Sequence, residues 1–510
     1  MLFARIAETS AAVAATRSRL EKRALLAATL REAETDEIDV VATYLSGRVR
    51  QRRTGVGWRT LADLPTPAAA PTLTPTEVDE QLERISALAG AGSQAGRAAA
   101  VTALFGALTE PEQQHLRGLI LGEVRQGALD SLLIEAIADA TEVPVTAVRR
   151  AAMFSALTGP VARAALSGGA AALEEFRPAV LQPVRPMLAS AAPDLAGALT
   201  KLRGDDVGTA VAADGKIDGI RVQVHKAGDE VAVFTRSLDD ITERVPEIVD
   251  VVRSLPATDL ILDGEAIALA DDGRPRPFQE TASRTGSQED TGRTTPLTVY
   301  FFDLLHRDGT TLVTAPAAER LTALEEVVPQ HAVVPRRVTA DAAELDAFFR
   351  DILARGHEGL VLKDLSAPYD AGRRGAAWVK VKPRHTLDLV VLAVEWGSGR
   401  RRGWLSNIHL GARDGDSFVM LGKTFKGMTD AMLEWQTRRF LGLETGREGH
   451  VVHVRPEQVV EIAFDGVQRS PRYPGGLALR FARVLRYRED KTAAEADTLE
   501  TVRNLAGWNS

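Results

Sequence analysis

The sequence has no cysteine and no long apolar run, and each absence excludes a class of structure. Without cysteine the chain forms no disulfides or thiolate metal sites, so oxygen or histidine must hold any metal. No stretch is apolar and long enough to span a bilayer. Residues 1–33 mix charged and apolar side chains, which predicts an amphipathic helix rather than a signal peptide. We therefore expect a cytoplasmic protein with no membrane partner.

The charge balance of the chain does not by itself favour a nucleic-acid ligand. The formal net charge is -7, whereas affinity for nucleic acids comes largely from lysine and arginine on phosphates. Net charge, however, does not describe how the charges are distributed. Arginines cluster within residues 48–59, 400–402 and 480–488. Most such runs are ordinary solvated faces, so these clusters need support from other features.

The pattern along the 510 residues predicts several domains, roughly two to four by length alone. Alanine- and leucine-rich periodic segments predict an all-α region up to about residue 175, and a Gly-, Ala- and Pro-rich stretch at 159–183 predicts a linker. From about 185, short strands, turns and two helices are typical of an α+β domain. After Pro383, five predicted strands and one helix match a small OB-type β-barrel. The predicted domains are 1–178, 179–384 and 385–510.

Lys216 begins the most informative segment, Lys-Ile-Asp-Gly-Ile-Arg, which lies between two apolar runs. The lysine is predicted at the junction of a strand and a turn, with a carboxylate and a guanidinium close by. Lysine is a nucleophile only when its ammonium has lost a proton, and nearby cations or desolvation favour that loss. The segment therefore indicates phosphoryl chemistry on an amine.

Carboxylates suited to a divalent cation follow in two predicted strands. In Asp263-Gly264-Glu265, the two-residue period of a strand places both carboxylates on one face, which suits Mg²⁺ or ribose hydroxyls. Glu358 precedes the apolar strand Gly359–Lys363 and is a second candidate metal ligand. Each segment alone is more often a plain turn.

Basic and aromatic residues complete the series. In Trp378-Val379-Lys380-Val381-Lys382 the two lysines share one face, so both ammonium groups are able to approach one phosphate. The alternative is a half-exposed strand whose lysines face water. An aromatic run at 300–302 offers a platform for a base, although such aromatics are more often simply core. Arg480 and Arg483 are candidates for a pyrophosphate contact.

Taken in order, these segments resemble the motif series of ATP-dependent DNA ligases. The matching letters are KxDGxR, a following arginine, DGE, FDLL, EGLVLK, WVKVK and RFxR, spread over residues 207–491. The N-terminal part of the chain has segments similar to the helical DNA-binding domain and linker of the archaeal and actinobacterial branch of these ligases. These segments are Gly92-Ser93, residues 122–128 and Arg185–Ala189. The resemblance implies a multidomain fold with an all-α DNA-binding domain, an α+β nucleotidyltransferase (adenylation) domain and a β-barrel OB-fold domain.

The resemblance also implies a role for individual residues. Lys216 becomes adenylated, and Asp214, where the family often has glutamate, reads the adenine edge. The C-terminal motif reads Arg-Phe-Ala-Arg where relatives usually have proline third, and both arginines are present. The remaining implied roles are ribose or 5′-phosphate binding by Arg221 and Arg236, ribose or metal binding by Glu265, adenine stacking by Phe302, metal assistance by Glu358, nucleotide binding by Arg374, α-phosphate binding by Lys380 and Lys382, and pyrophosphate contact by Arg480 and Arg483.

As an activity, the resemblance implies sealing of 3′-OH/5′-phosphate nicks in duplex DNA through lysine-AMP and DNA-adenylate, with release of AMP and pyrophosphate. The implied cofactors are ATP and Mg²⁺, with Mn²⁺ as a substitute. The implied partner is nicked double-stranded DNA, encircled by a monomer in the cytoplasm at the nucleoid. Such an enzyme serves DNA repair, replication or recombination.

Three alternatives share parts of the pattern. An RNA ligase or a capping guanylyltransferase has the same lysine motif, but the helical front region and the C-terminal arginines favour DNA. A catalytically dead scaffold would have lost the lysine or the carboxylates, whereas Lys216, Glu265 and Glu358 are present. A lysine Schiff-base enzyme would need neither the paired strand lysines nor the C-terminal arginines.

Overall fold

The computed structural model describes residues 1–51, 54–90, 92–124, 126, 130–204, 206, 208–286, 295–372 and 374–505, apart from the side chains of residues 285, 286, 374 and 400. The chain divides into two compact units. The first comprises Met1–Ser190, Gly208–Ala340 and Lys363–Trp378, and the second comprises Ala191–Val207, Asp341–Leu362 and Val379–Ser510. Among the described residues, none of the helices has both the length and the apolar character that crossing a bilayer requires.

Helices dominate the described chain up to residue 174, as the periodic pattern predicts. Their buried faces share one core that includes Phe3, Tyr44, Leu82 and Phe105. The helices are α1 (Phe3–Ala15), α2 (Arg19–Glu32), α3 (Ile38–Leu45), α4 (Pro75–Ala87), α5 (Ser93–Gly106), α6 (Glu110–Leu121), α7 (Asp130–Thr141), α8 (Val145–Met153) and α9 (Gly159–Glu174).

Local sequence explains where α4 begins. The Thr74 side chain accepts a hydrogen bond from the backbone of Glu77, and the Glu77 carboxylate accepts one from the backbone of Thr74. This reciprocal capping satisfies two amides that have no partner within the helix. Pro75 stands in the first turn, where its fixed φ suits a helix and its missing N–H costs nothing.

The stretch 159–183 begins with helix α9 and not with the predicted linker, so that prediction was wrong for residues 159–174. Alanine has the highest helix propensity, and Val161, Ala165 and Leu173 gain burial in the helical core. Glycine still affects this segment, because Gly169 has the non-helical angles φ 62° and ψ -146° and interrupts the regular helix.

The middle of the chain is α+β, in agreement with the pattern of short strands. It contains two five-stranded sheets, ordered β1-β10-β9-β2-β8 and β4-β3-β5-β6-β7. An apolar cluster that includes Val222, Leu262 and Phe301 fills the core beside the second sheet. The elements are β1 (Leu188–Ala192), α10 (Leu195–Arg203), β2 (Val211–Lys216), β3 (Ile220–Ala227), β4 (Glu230–Thr235), α11 (Pro246–Arg253), β5 (Asp259–Ala268), α12 (Phe278–Gly286), β6 (Leu297–Arg307), β7 (Thr310–Thr311), α13 (Ala317–Val327), β8 (Arg336–Thr339), α14 (Ala342–Ala354), β9 (Gly359–Asp364) and β10 (Arg374–Val381).

The segment before β1 is fixed to β3 by two buried side chains. The Gln223 side chain accepts from the Val184 amide at 2.6 Å and donates to the Val184 carbonyl at 3.0 Å. His225 Nδ1 accepts from the Leu181 amide at 3.0 Å. Because Nδ1 accepts, the ring is neutral, with its proton on Nε2 facing Gln223. Burial, with a smaller contribution from His306, lowers the pKa of His225 to about 3.

The last part of the chain is β-rich and OB-like with an inserted helix, as predicted. Its described residues form nine strands and not five, because a turn divides the predicted strand 477–484 and three further strands follow the helix. A seven-stranded sheet has the order β13-β12-β11-β15-β14, and β16 pairs with both β11 and β19. Its core includes Leu389, Leu410, Phe440 and Ile462. The elements are β11 (His385–Trp396), β12 (Leu405–Asp414), β13 (Ser417–Thr424), α15 (Asp430–Gly442), β14 (Glu444–Glu448), β15 (Val451–Val454), β16 (Val459–Phe464), β17 (Gly466–Arg469), β18 (Leu477–Arg480), β19 (Arg483–Arg488) and α16 (Leu499–Leu505).

Candidate active site

Lys216 is the last residue of β2, and it is the partly exposed end of an otherwise buried strand. Residues 211–215 are buried, and the Lys216 Nζ atom lies 3.5 Å from the carbonyl oxygen of Ile217. A strand with both faces covered has little freedom, so it holds its terminal lysine in a defined position. This is the strand-to-turn junction that the sequence predicts.

Gly219 allows the turn after Lys216 to lie against β5. A Cβ atom at this position would lie 2.3 Å from the Ala266 carbonyl oxygen and 2.9 Å from Cγ of Glu265. Both separations are well below van der Waals contact, so a larger residue would push the turn away from β5. The glycine of the motif is therefore required by the close approach of two backbones.

Asp214 lies two residues before Lys216 and is part of a buried ring of hydrogen bonds. Its Oδ1 accepts from Arg336 Nε at 2.6 Å, and its Oδ2 accepts from Arg336 Nη2 at 3.2 Å and lies 2.8 Å from Lys363 Nζ. The carbonyl oxygen of Phe302 accepts from the same two cations, at 3.1 Å from Arg336 Nη2 and 2.7 Å from Lys363 Nζ. We call Asp214, Arg336, Lys363 and the Phe302 carbonyl the buried ring.

Charge within the buried ring is nearly inaccessible to water. The side chains of Asp214, Arg336 and Lys363 are 4%, 6% and 1% exposed. Burial acts to raise the pKa of Asp214, but Arg336 and Lys363 outweigh it and hold that pKa below its usual value. Burial lowers the pKa of Lys363, and Asp214 opposes this effect. The carboxylate is therefore the counter-ion of two buried cations.

Arg221 lies in a second buried network, on β3. Its Nε and Nη2 donate to the two oxygens of Asp263 at 2.9 and 2.6 Å, and its Nη1 donates to the Met187 carbonyl at 2.5 Å. The Tyr369 hydroxyl donates to Asp263 at 2.6 Å. Burial acts to lower the pKa of Arg221, but Asp263 raises it above the usual value. Arg221 and Asp263 thus form a bidentate buried ion pair.

Phe302, the predicted adenine platform, belongs to a cluster of aromatic rings and cations. Its ring lies edge-on to Trp378 at 5.9 Å, and Trp378 lies edge-on to Tyr369 at 5.7 Å. The Lys363 ammonium lies 5.0 Å from the centre of the Phe302 ring and 4.5 Å from that of Trp378. The Arg221 guanidinium lies 5.5 Å from the Phe302 ring. Cations at this distance are attracted by the ring quadrupole and fix its orientation.

The DGE segment divides its two carboxylates between different environments. Asp263 is fully buried and occupied by Arg221 and Tyr369, whereas Glu265 is partly exposed and lies opposite Arg221 in the pairing of β3 with β5. Only Glu265 is therefore accessible to a nucleotide or a metal. Arg236 is exposed immediately after β4, and Arg374 begins β10 with a side chain outside the described residues.

In the second unit, Lys382 lies between two carboxylates. Its Nζ donates to Glu358 Oε1 at 2.6 Å and is 3.7 Å from Asp465 Oδ2. Lys380 and Lys382 are partly exposed, while Val379 and Val381 are buried, so the predicted alternation of β10 is confirmed. Next to Glu358, Gly359 has φ 144°, and a Cβ atom there would lie 2.2 Å from the Val381 carbonyl oxygen. This close approach positions Glu358 beside Lys382.

The C-terminal arginines flank an exposed turn between β18 and β19. Arg480 is partly buried, Arg483 is exposed, and Phe481 between them is 59% exposed with φ 54°. A bulky residue rarely adopts this left-handed conformation. The Lys426 ammonium lies 5.3 Å from the Phe481 ring. The turn therefore presents cations and an aromatic ring to solvent.

The arginine cluster at 48–59 is only partly within the described chain. Arg52 and Arg53 lie outside the described residues. Arg48 lies 3.6 Å from Asp130, and Arg50 lies 3.4 Å from Asp79. Both arginines are about half exposed, which leaves them accessible at the surface.

The sequence prediction assigned no role to three residues of the two buried networks, Lys363, Tyr369 and Arg336. Lys363 is the last residue of the EGLVLK segment. Its position in an otherwise apolar strand could have indicated a buried role, because a buried lysine requires a partner. Tyr369 and Arg336 carry no such local signal, because their partners are distant in the sequence.

The carboxylates fit a metal ion that arrives with a nucleotide. Across the described ranges, no three or more histidine, aspartate or glutamate side chains are grouped to hold a metal. Glu265 and Glu358 are separate oxygen donors. Mg²⁺ is commonly bound by one or two carboxylates together with substrate phosphates and water, and single carboxylates suit that mode.

Sequence comparisons match all three parts of the chain to one family. Residues 64–138 match the DNA ligase N terminus, residues 186–382 the ATP dependent DNA ligase domain, and residues 401–491 the ATP dependent DNA ligase C terminal region. A probable DNA ligase of Beutenbergia cavernae is 63% identical over 99% of this chain and 100% of its own length. A probable DNA ligase of a Nocardioides species is 61% identical over 99% of each chain.

Structural comparison gives the same fold over nearly the whole length. The solved structure named Pmar-Lig_PreS3 has a TM-score of 0.65 and 18% identity, covering 95% of this chain and 99% of its own. The structure named Pmar-Lig_Pre. has a TM-score of 0.62 with the same coverage. From the three matched regions and the identity of the two relatives, the chain belongs to the ATP-dependent DNA ligases, the enzymes that join nicked DNA strands.

Proposed function

We propose that this chain seals nicks in duplex DNA by three phosphoryl transfers, the first of which makes a covalent bond between Lys216 and AMP. The observation that carries the proposal is the position of Lys216, the partly exposed terminal lysine of a buried strand. Phe302, Arg221 and Glu265 lie on strands of the same unit, and they supply an aromatic ring, a cation and an accessible carboxylate.

In the first transfer, the neutral amine of Lys216 attacks the α-phosphorus of ATP. A bond from nitrogen to phosphorus forms, the bond from phosphorus to the bridging oxygen breaks, and pyrophosphate leaves with the electron pair. The amine gives up its proton as the phosphoramidate forms. Lys380 and Lys382 neutralise charge on the α-phosphate, and Arg480 and Arg483 stabilise the leaving pyrophosphate.

In the second transfer, AMP passes from Lys216 to the 5′-phosphate at the nick, with Arg236 as an accessible cation for that phosphate. In the third, the 3′-hydroxyl attacks the activated phosphorus, the strand is joined and AMP leaves. Each transfer exchanges one phosphorus bond for another, so ATP is the only source of free energy that is required.

Mg²⁺ would be held by a carboxylate together with the phosphates, with Glu265 and Glu358 as separate candidate ligands, and it would offset the negative charge that develops on the phosphoryl oxygens. The ammonium of Lys382 occupies Glu358 in this structure. An incoming phosphate would compete with Glu358 for Lys382, and Glu358 would then be a candidate metal ligand.

The helical front region is proposed to hold the duplex through its backbone, without reading bases. Its accessible arginines, among them Arg48 and Arg50, suit phosphate contacts. Binding to nicked duplex should weaken steeply as salt concentration rises, because phosphate contacts release counterions. We further propose that a monomer encircles the DNA, and that the enzyme acts in the cytoplasm at the nucleoid.

The proposal is tested by incubating the purified chain with α-labelled ATP and Mg²⁺ and separating the products under denaturing conditions. We expect label on the protein that is absent from Lys216→Ala and retained by Lys201→Ala, a control at an exposed lysine of α10. Label from GTP in place of ATP would indicate a capping-type enzyme. Absence of label after pyrophosphate treatment of the folded protein would overturn the proposal.

Covalent labelling must then be linked to sealing. The labelled enzyme is mixed with a nicked DNA duplex or with the same nick in RNA, and the joined strand is measured. Joining of DNA and not of RNA supports the proposed substrate. Preference for the RNA nick would contradict it.

A further inference from the structure

The buried ring connects the strand of the proposed nucleophile to the strand of the proposed base platform. Asp214 lies two residues before Lys216 on β2, and it pairs with Arg336 on β8 in the strand register. Phe302 lies on β6, and its carbonyl oxygen binds the same Arg336 and Lys363. The two cations thus bridge two acceptors, one on each of the two strands.

The bridge has little freedom to change its length. Both acceptors contact both cations within 3.2 Å, and the side chains of Asp214, Arg336 and Lys363 are almost fully buried. The Val334 amide also donates to the Phe301 carbonyl at 2.9 Å, and the Gly215 amide donates to the Pro335 carbonyl at 2.8 Å. Residues 334–336 therefore continue the connection from β6 to β2 along the backbone.

The same lysine also lies against the platform itself. The Lys363 ammonium is 5.0 Å from the centre of the Phe302 ring and 4.5 Å from that of Trp378. A desolvated cation beside an aromatic ring is attracted by the ring quadrupole, and this attraction favours one ring orientation. Lys363 thus holds both the backbone and the ring of Phe302.

Asp214 is poorly placed to bind a nucleobase through its side chain. Its carboxylate has about four lone-pair positions, and the two cations already take three of them. The residue is 2% exposed, so a ligand atom would have to displace a buried charged hydrogen bond to reach it. Such displacement leaves a buried cation without its partner, which is costly.

We propose that Lys363 and Arg336 are positioning residues that fix the distance between the base platform Phe302 and the nucleophile Lys216, with Asp214 as their counter-ion and not as a reader of the adenine edge. The inference rests on the proposed function, since it assumes that Lys216 is adenylated and Phe302 stacks on the base. It assigns Lys363 and Arg336 a positioning role, in which they act through Phe302 and the strand of Lys216.

The role of Asp214 is tested by removing the group that it would read. Adenylation is measured for wild type and Asp214→Asn with ATP and with purine riboside triphosphate, which lacks the adenine amino group. We expect Asp214→Asn to slow both nucleotides by the same factor, so that the preference for ATP is retained. A preference that falls to about 1 would show that Asp214 reads the amino group, and it would overturn this part of the inference.

The role of Lys363 is tested by a double-mutant cycle with the platform. Lys363→Met should lower the rate of enzyme-AMP formation at saturating ATP by about tenfold or more, with little change in KM, because a displacement of about 1 Å costs up to about 100-fold. In a Phe302→Leu background, Lys363→Met should lower the rate of enzyme-AMP formation by less than about threefold, because the aromatic ring that Lys363 positions is absent. Lys363→Arg, which keeps the charge, should recover part of the rate.

Equal losses from Lys363→Met in both backgrounds would refute positioning through Phe302, and so would a wild-type rate in the folded single variant. If Lys363→Met does not fold, Arg336→Lys is used in the same cycle, because it keeps a cation beside Asp214 with fewer contacts. If the wild type takes no label from ATP, the proposed function is wrong. If the wild type is labelled and the variants form enzyme-AMP at the same rate, only this inference is wrong.

Discussion

The buried pair Asp303–Arg320 supports the strand that carries Phe302, and its loss should destabilise the first unit strongly. Both side chains are 0% exposed, and their two contacts are 2.8 and 3.2 Å long. Arg320 also donates to the carbonyls of Ala315 at 2.6 Å and Ala367 at 3.1 Å. The perturbation is Asp303→Asn, which keeps the shape of the side chain and removes its charge.

The expected loss of stability follows from the arginine that remains buried and charged after Asp303→Asn. Arginine cannot lose its proton in a protein, so Arg320 stays charged and buried with only neutral acceptors. Breaking a buried pair in this way costs about 3–5 kcal/mol. Arg320→Met leaves Asp303 buried without its partner instead, and it should cost a similar amount.

The assay is urea unfolding combined with hydrogen exchange of peptides from β6, residues 297–307. A single whole-chain transition is unsuitable, because a multidomain protein does not unfold in two states. Exchange of the β6 amides reports the opening free energy of the part that contains the pair. The matched control is Asp250→Asn, which breaks the exposed pair with Arg253, whose side chains are 74% and 49% exposed. It should change stability by less than about 1 kcal/mol.

One result would refute the reasoning about this pair. It is a loss of less than about 1 kcal/mol for Asp303→Asn, no larger than that of the surface control.

The remaining predictions concern a close backbone approach, a buried histidine and the C-terminal arginines. Gly359→Ala should destabilise the second unit by more than about 2 kcal/mol, measured by hydrogen exchange of its amides, because its Cβ would clash with a carbonyl. Gly442→Ala, with nothing within 4 Å of its Cβ, should change that stability by less than about 1 kcal/mol. The folded-state pKa of His225 is lowered to about 3, so the contribution of the neutral ring to stability is complete above about pH 6.5 and is lost toward pH 3. His225→Gln should therefore flatten the pH dependence of the unfolding free energy between pH 7 and 5. An unchanged slope would contradict this. Replacement of Arg480 and Arg483 by alanine should slow enzyme adenylation more than sealing of a pre-adenylated nick, and the reverse order in a single-turnover assay would exclude a pyrophosphate contact.

Local periodicity predicted those parts of the fold in which neighbours in sequence share an environment. The alternation of Lys380 and Lys382 with two valines is a property of one strand, so it could be predicted without any partner. The linker prediction failed at α9, because glycine and alanine were weighed as flexible residues and the burial of Val161 and Leu173 in the core outweighed that tendency.

The candidate site was predictable as a set of residue types but not as a set of contacts. The motif order indicated Asp214, Arg221 and Asp263 as polar residues near the lysine. Nothing in their spacing shows that Asp214 pairs with Arg336, 122 residues later, or that Asp263 binds Tyr369, 106 residues later. Such pairs depend on which strands become neighbours, and sheet order is a property of the whole fold.

The first unit is assembled from separated stretches of the chain, and this affects how the enzyme is made in the cell. Lys363 leaves the ribosome after Lys216, Phe302 and Arg336, so the buried ring cannot close until synthesis has passed residue 363. At roughly 5–20 residues per second, Asp214 waits about 7–30 seconds for Lys363, its second cation. We expect a product that stops before this point to contain Lys216, the proposed nucleophile, but to lack the closed buried ring. Interrupted synthesis would then leave inert fragments, and not proteins that consume ATP without joining DNA.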